Sequence, residues 1–128
     1  DLSQFHHKSK PLKARVKAGI AYSGSVFIEL VQVIEGETPH SQFLRSKGEG
    51  LQHLAFTVDD IDGAITELEK EGIKPLMSYT LTIEAPAKSG AGRAGGKRLL
   101  DVHEAYLDSG RIGGTVIQLL QIKEHTSG

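Results

Sequence analysis

Val26-Phe27-Ile28-Glu29-Leu30-Val31-Gln32-Val33 returns later in the chain as Thr115-Val116-Ile117-Gln118-Leu119-Leu120-Gln121-Ile122. The order Ile, Glu or Gln, Leu, aliphatic, Gln, aliphatic is kept in register. Ala-Tyr stands ahead of each copy, at Ala21-Tyr22 and Ala105-Tyr106. Ser-Gly lies between them, at Ser23-Gly24 and Ser109-Gly110. Three landmarks in one order describe two β-hairpins of one design, so the chain contains a repeated supersecondary unit.

Outward from the first copy, Val16, Ala18, Ile20 and Tyr22 alternate with Arg15, Lys17, Gly19 and Ala21, the period of a strand with one apolar face. Ser23-Gly24-Ser25 reads as the turn. Residues 26–34 are richer in apolar side chains, which predicts a more deeply buried strand ending at Gly36. Thr38 is a good N-cap and Pro39 suits the first position of a short helix, in which Phe43 and Leu44 are expected to face inward before Gly48 stops it. Residues 51–58 form the next predicted strand. Asp59 or Asp60 then caps a helix with Ile61, Ala64, Ile65 and Leu68 at i, i+3, i+4 and i+7, ending at Gly72 in the C′ place. A strand over 73–83, a loop over 85–96, and a last hairpin of 97–108 and 115–122 complete the order.

From residue 51 the order is β-α-β-β-β, a whole module spanning 51–123. Residues 14–50 supply only the last two strands of a first module and a linker helix. Residues 1–13 are polar, lack an apolar signal-peptide core, and read as a tail, as do residues 124–128. The expected fold class is therefore α+β, a curved mixed sheet of βαβββ modules with the second complete and the first partial.

Composition narrows the chemistry. The 128 residues suit one domain, 38% are hydrophobic, and the net charge is −1. The charge balance gives no footprint of a nucleic-acid binder, and no apolar run approaches the roughly 18 residues of a membrane span. There is no Cys, which excludes disulfides and thiolate ligands and is compatible with a cytoplasmic location.

Ile28-Glu29-Leu30, Phe43-Leu44 and Gly48-Glu49-Gly50-Leu51-Gln52-His53-Leu54-Ala55-Phe56-Thr57-Val58-Asp59-Asp60-Ile61 together resemble the glyoxalase and methylmalonyl-CoA epimerase branch of the vicinal-oxygen-chelate superfamily. That superfamily also holds bleomycin-resistance proteins and extradiol dioxygenases. Gly113-Gly114-Thr115-Val116-Ile117-Gln118-Leu119 is similar to its last strand. The resemblance implies a sheet wrapped around a cavity, a small-molecule substrate, and a divalent ion (Zn, Ni, Co, Mn or Fe) held by residues of the first and last strands of each module. Carried over by position, the metal ligands are Glu29, His53 and Gln118, and the fourth falls on an opening strand that residues 1–13 do not supply. Relatives commonly carry Glu where this chain has Gln118. A Gln ligates through its carbonyl oxygen but is no base at neutral pH. That leaves Glu29 as the matched carboxylate for moving a proton α to a carbonyl, as in a lyase or isomerase of this family. A non-catalytic protein of the bleomycin-resistance type, which sequesters an apolar ligand, is the alternative, and two missing family residues favour it. An extradiol site needs two His and one Glu, which Gln118 breaks. A partial module leaves a strand edge open, and a homodimer is expected.

Other features have plainer readings. Glu29 in an apolar strand either enters a cavity or points to solvent from an edge. His53, alternating with Ala55 and Thr57, is by itself either structural or a ligand. His6 and His7 are neighbours on an extended chain and point apart, which suits a solvated tail. His103 and Glu104 face opposite ways on a strand and are not expected to share a site. His125 lies in a polar tail. Gly90-x-Gly92-x-x-Gly95 has the spacing of a dinucleotide fingerprint but precedes a strand, not a helix. The loop with Arg93, Lys97 and Arg98 is read as a solvated loop, or as one that closes on an anionic substrate. Lys8, Lys10, Lys13, Arg15 and Lys17 read as a charged edge that resists aggregation.

Overall fold

The computed structural model describes residues 5–7, 10–86 and 97–126. The Gly90–Gly95 pattern and Arg93 lie outside those residues. Ten elements follow in order: β1 (Phe5–His7), β2 (Lys10–Leu12), β3 (Ala14–Ser23), β4 (Val26–Gly36), α1 (Pro39–Lys47), β5 (His53–Thr57), α2 (Ile61–Lys70), β6 (Pro75–Pro86), β7 (Lys97–Leu107) and β8 (Val116–Glu124). They divide into two compact units, Asp1–Gln52 and His53–Gly128. The class is α+β, as the sequence predicts.

The second unit is a βαβββ module with strand order β6-β7-β8-β5. β6, β7 and β8 are antiparallel neighbours, and β5 runs parallel to β8 with His53 opposite Val116 and Ala55 opposite Gln118. A parallel pair cannot be joined by a tight turn, so the chain leaves β5 through α2 before it re-enters the sheet. Asp60 starts that helix by accepting a 3.0 Å hydrogen bond from the Gly63 N–H. Gly72, at φ +78, ends it: its N–H donates to the Glu69 carbonyl while the Ile73 N–H reaches back to Leu68, each at 3.0 Å. That is the paired arrangement that closes helices on a left-handed residue, where glycine carries no steric penalty.

One face of this sheet is the core. Ile61, Ile73, Ala105, Leu107 and Leu119 form it, with Val58, Ala64, Ile65, Leu68 and Ile117 packed around them. Ile61 is 0% exposed. Ser109 locks the β7–β8 connection, donating to the Thr115 carbonyl at 3.0 Å and accepting from the Ile117 N–H at 2.8 Å. His103 lies on the α2 side, with Nε2 3.1 Å from the Ser78 hydroxyl and Nδ1 4.0 Å from Asp62. His125, given no role from the sequence, pairs with Asp101 at 2.9 Å.

The first unit is built of hairpins. β1 pairs antiparallel with β2, so two short strands lie within the stretch read as a tail. β3 and β4 form a two-stranded sheet of their own, with Ala21 opposite Ile28 and Gly19 opposite Leu30. Gly36 stands opposite Ala14 at φ +87, and a Cβ there would come within 2.3 Å of the Lys13 carbonyl. Thr38 and Ser41 make a reciprocal capping pair at the start of α1, with Ser41 N–H to Thr38 Oγ1 at 3.1 Å and Thr38 N–H to Ser41 Oγ at 2.8 Å. Two sequence expectations fail here. β4 is not deeply buried, since Ile28 is 61% and Leu30 71% exposed, and Leu44 of α1 is 51% exposed. Apolar composition reports what a strand is suited to bury, and a two-stranded ribbon presents both faces.

Truncating Ile61 to Ala empties the centre of the only core cluster found among the described residues. The expected loss is about 2–5 kcal/mol of stability, read as a lowered urea midpoint at constant slope. Ile28→Ala, on the exposed ribbon, is expected to cost less than about 1 kcal/mol in the same experiment.

Candidate functional site

Alternation along the strands of the second unit separates two chemistries. Ala105, Leu107, Ile117 and Leu119 point to α2, so Glu104, Tyr106 and Gln118 point to the other side. The register puts Tyr79 opposite Glu104, Met77 opposite Tyr106, and Tyr106 opposite Gln118. His53, two residues before the Ala55 that pairs with Gln118, joins them from the edge strand. This face thus carries a line of polar and aromatic groups drawn from all four strands.

The groups are bonded to one another. The Gln118 side chain is 3% exposed and donates Nε2–H to Glu104 Oε2 at 2.7 Å. The Tyr79 hydroxyl donates to the same oxygen. His53 hydrogen-bonds Gln118, in the sense that favours the charged imidazole. Since the amide nitrogen is engaged with Glu104, the amide oxygen is the acceptor for the His53 N–H. The His53 ring also stands edge-on to Tyr106, with centroids 5.1 Å apart, and Tyr79 lies 6.4 Å from Tyr106. Burial outweighs the Gln118 bond and pulls the His53 pKa below its ordinary 6.5, so the ring is neutral at neutral pH. Burial, then the neighbouring Tyr106 and Glu104, push the Tyr79 phenol far above its usual range and keep it a proton donor.

Of the three residues singled out from the sequence, the structure brings His53 and Gln118 together. Glu29 lies in the first unit, on the face of the β3–β4 ribbon that carries Ile20, Tyr22 and Phe27. Desolvation raises its carboxyl pKa. Sequence reasoning passed over Glu104. The signal was present in the repeat, which aligns Ala105-Tyr106 with Ala21-Tyr22. Glu104 thus precedes a landmark pair on the strand beside Gln118, whereas its alternation with His103 points to no shared site. Tyr79 and Tyr106 lie on this face with Met77, whereas Phe56 points to the opposite side of β5.

The donor set bears on a metal. Among the described residues no three His, Cys, Asp or Glu side chains come together. The second unit offers one neutral imidazole, one amide oxygen and one carboxylate, and each kind is a known donor to a divalent ion. The set fits such an ion in chemistry while already satisfying itself by hydrogen bonds.

A profile of the Glyoxalase/Bleomycin resistance protein/Dioxygenase superfamily matches residues 2–92, well over half of the chain. The chain belongs to that superfamily. Its similar relatives include the uncharacterized protein YwkD of Bacillus subtilis (strain 168), 37% identical over 68 residues covering 52% of this chain and 51% of that protein. Another is the uncharacterized protein YaeR of Escherichia coli (strain K12), 40% identical over 58 residues, or 45% and 43% of the two chains. A third, YqjC of Bacillus subtilis (strain 168), is 27% identical over 70 residues, or 55% and 50%. The chain spans about half the length of the curated relatives it matches. A solved structure, hypothetical protein BH1468 from Bacillus halodurans C-125, aligns over 91% of this chain and 80% of its own with a TM-score of 0.57 and 22% identity, a likeness of fold.

The His53 imidazole is expected to titrate below pH 6.5 in the folded protein, and lower still in Gln118→Leu, which removes a bond to the charged form. Histidine side-chain NMR across pH reads both. The unfolded chain binds the proton more readily, so this group makes stability rise with pH between the folded value and 6.5. A midpoint above 6.5 would contradict the desolvated setting. Glu104→Leu removes the acceptor that Tyr79 and Gln118 share, at an expected cost of about 1–3 kcal/mol in urea unfolding. Tyr79→Phe in that background is expected to cost less than it does alone, because the bond is already gone.

Proposed function

We propose that this protein is a metal-dependent lyase or isomerase that moves a proton at a carbon α to the carbonyl of a small substrate. The observation that carries this is the bonded set His53–Gln118–Glu104–Tyr79 on the face of the sheet opposite its helix. A protein of this superfamily with no more than a structural use for that face has no need to bury a neutral imidazole beside an amide and a carboxylate.

In this reading His53 and Gln118 ligate the ion, with Glu29 as the third ligand and the proton-moving carboxylate. His53 is suited to the role because burial keeps it neutral, and a neutral imidazole carries one acceptor nitrogen beside its N–H. Gln118 keeps a carbonyl oxygen with a second lone pair. The raised pKa of Glu29 brings that carboxyl closer to the operating range of a general base than an ordinary glutamate. A divalent ion bound there supplies Lewis-acid polarisation of the substrate carbonyl. Tyr79, held protonated, donates its one hydrogen to Glu104 and so holds that carboxylate in place on the face. A homodimer, a small-molecule ligand and a cytoplasmic setting belong to the same proposal.

Gln118 also favours a second reading, a binding protein of the bleomycin-resistance type. Its amide is engaged on both sides within the protein, and it stands where a family carboxylate is common.

Metal content by mass spectrometry, on protein purified without a histidine tag and dialysed against Zn, Ni, Co or Mn, separates the two. The enzyme reading expects about one ion per chain, lost in His53→Ala and in Glu29→Ala. Full metal content in His53→Ala sinks the ligand assignment, and no uptake of any of these ions moves the protein to the sequestering class.

A further inference from the structure

Three donors of the second unit stand in one diagonal file across neighbouring strands. Glu104 on β7 is opposite Leu120, so Gln118 is its diagonal neighbour on β8. Gln118 is in turn opposite Ala55, so His53 is its diagonal neighbour on β5. Diagonal positions lie about 7–8 Å apart, within reach of long side chains. Both steps are closed by hydrogen bonds: Gln118 Nε2 donates to Glu104 Oε2 at 2.7 Å, and His53 bonds the same Gln118 side chain. Tyr79 on β6 stands directly opposite Glu104 and donates to it from the other side. His103, the next residue of β7, takes no part, because it turns to Ser78 and Asp62 on the helix side.

Charge is distributed unevenly along this file. His53 is neutral and Gln118 carries no charge, so Glu104 is the member that contributes a negative one. Its strand neighbours on the same face are well covered, with Val102 6% and Tyr106 3% exposed. Removing a carboxylate from water is costly. Hydrogen bonds from neutral groups such as Tyr79 and Gln118 offset part of that cost, and a cation offsets more. Carboxylates that ligate metals are themselves hydrogen-bonded by an outer partner, which fixes their orientation. The Tyr79 hydroxyl on Glu104 is a bond of that kind.

We infer that Glu104 is a metal ligand, a further donor beside His53, Gln118 and Glu29, and that Tyr79 is the positioning residue that holds its carboxylate. The inference rests on the metal-dependent reading above and adds to it a residue of β7, a strand from which that reading takes no ligand. In this arrangement the second unit supplies an imidazole, an amide oxygen and a carboxylate from three adjacent strands, a donor set suited to a divalent ion.

The test is a titration of Co(II) into the metal-free full chain, followed by calorimetry and by visible absorption. The parent is expected to bind about one ion per chain. Glu104→Gln keeps the size of the side chain and an acceptor oxygen for Tyr79 but removes the charge, and is expected to weaken Co(II) binding by about a hundredfold. Glu104→Asp keeps the charge and draws it back by one methylene. It is expected to weaken binding by about tenfold and to alter the Co(II) absorption, whereas a carboxylate acting only through its field would leave both near the parent's. Tyr79→Phe is expected to weaken binding by about tenfold. The urea midpoint of each metal-free variant separates lost ligation from lost folding, and Glu104→Asp carries the test by itself if Glu104→Gln does not fold. Parent-like affinity in either Glu104 variant overturns the inference and leaves the metal-dependent reading standing. Parent-like affinity in Tyr79→Phe overturns the positioning role. No uptake of Co(II) by the parent overturns the inference together with the reading it rests on.

Discussion

The burial of α2 against one side of the second sheet is the constraint on which the rest depends. Ile61 and the stripe behind it need an apolar partner surface, and the alternate residues of β7 and β8 provide it. Once Ala105, Leu107, Ile117 and Leu119 are committed to that surface, the intervening residues have no choice of side. Glu104, Tyr106 and Gln118 are set side by side as a consequence. A one-residue slip of β8 would turn Gln118 into the core and Leu119 out of it, leaving two polar groups without partners. The helix thus fixes the register, and the register assembles the polar face.

The same logic explains what the sequence disclosed and what it withheld. Asp60, the stripe from Ile61 to Leu68, and Gly72 act within a few residues of themselves, so the helix was legible almost to its ends. His53 and Gln118 were joined only through the family resemblance, because neither alternation nor the repeat relates β5 to β8. Glu104 was hidden because its partners are Tyr79, 25 residues before it, and Gln118, 14 residues after it. No local spacing relates them; only the pairing of β6, β7 and β8 does. Leu44 and Leu30 misled for the opposite reason. Apolarity is a demand for cover, and whether the demand is met depends on neighbours that composition does not name.

The two units answer the same hairpin pattern differently. In the second, the helix-facing residues are buried and the opposite face is polar and bonded. In the first, the matching residues Ile28 and Leu30 are exposed and the opposite face carries Glu29 among Ile20, Tyr22 and Phe27. The rings of Tyr22 and Phe27 meet edge-on at 5.9 Å, a local contact of a kind that steadies a ribbon but does not replace a core.

Gln118 is the point where electrostatics and family pattern meet. A glutamate at that position would set a second carboxylate against Glu104, whose Oε2 now lies 2.7 Å from the amide nitrogen. Two carboxylates at such range do not both ionise; one must hold a proton. Glutamine removes the conflict by offering a donor to Glu104 and an acceptor to His53 from one planar group. The carboxylate of this face thus sits on β7, and the imidazole is oriented without being charged. Total charge on the face is the same as in a pattern with Glu on β8 and no acid on β7. What differs is its location on the sheet.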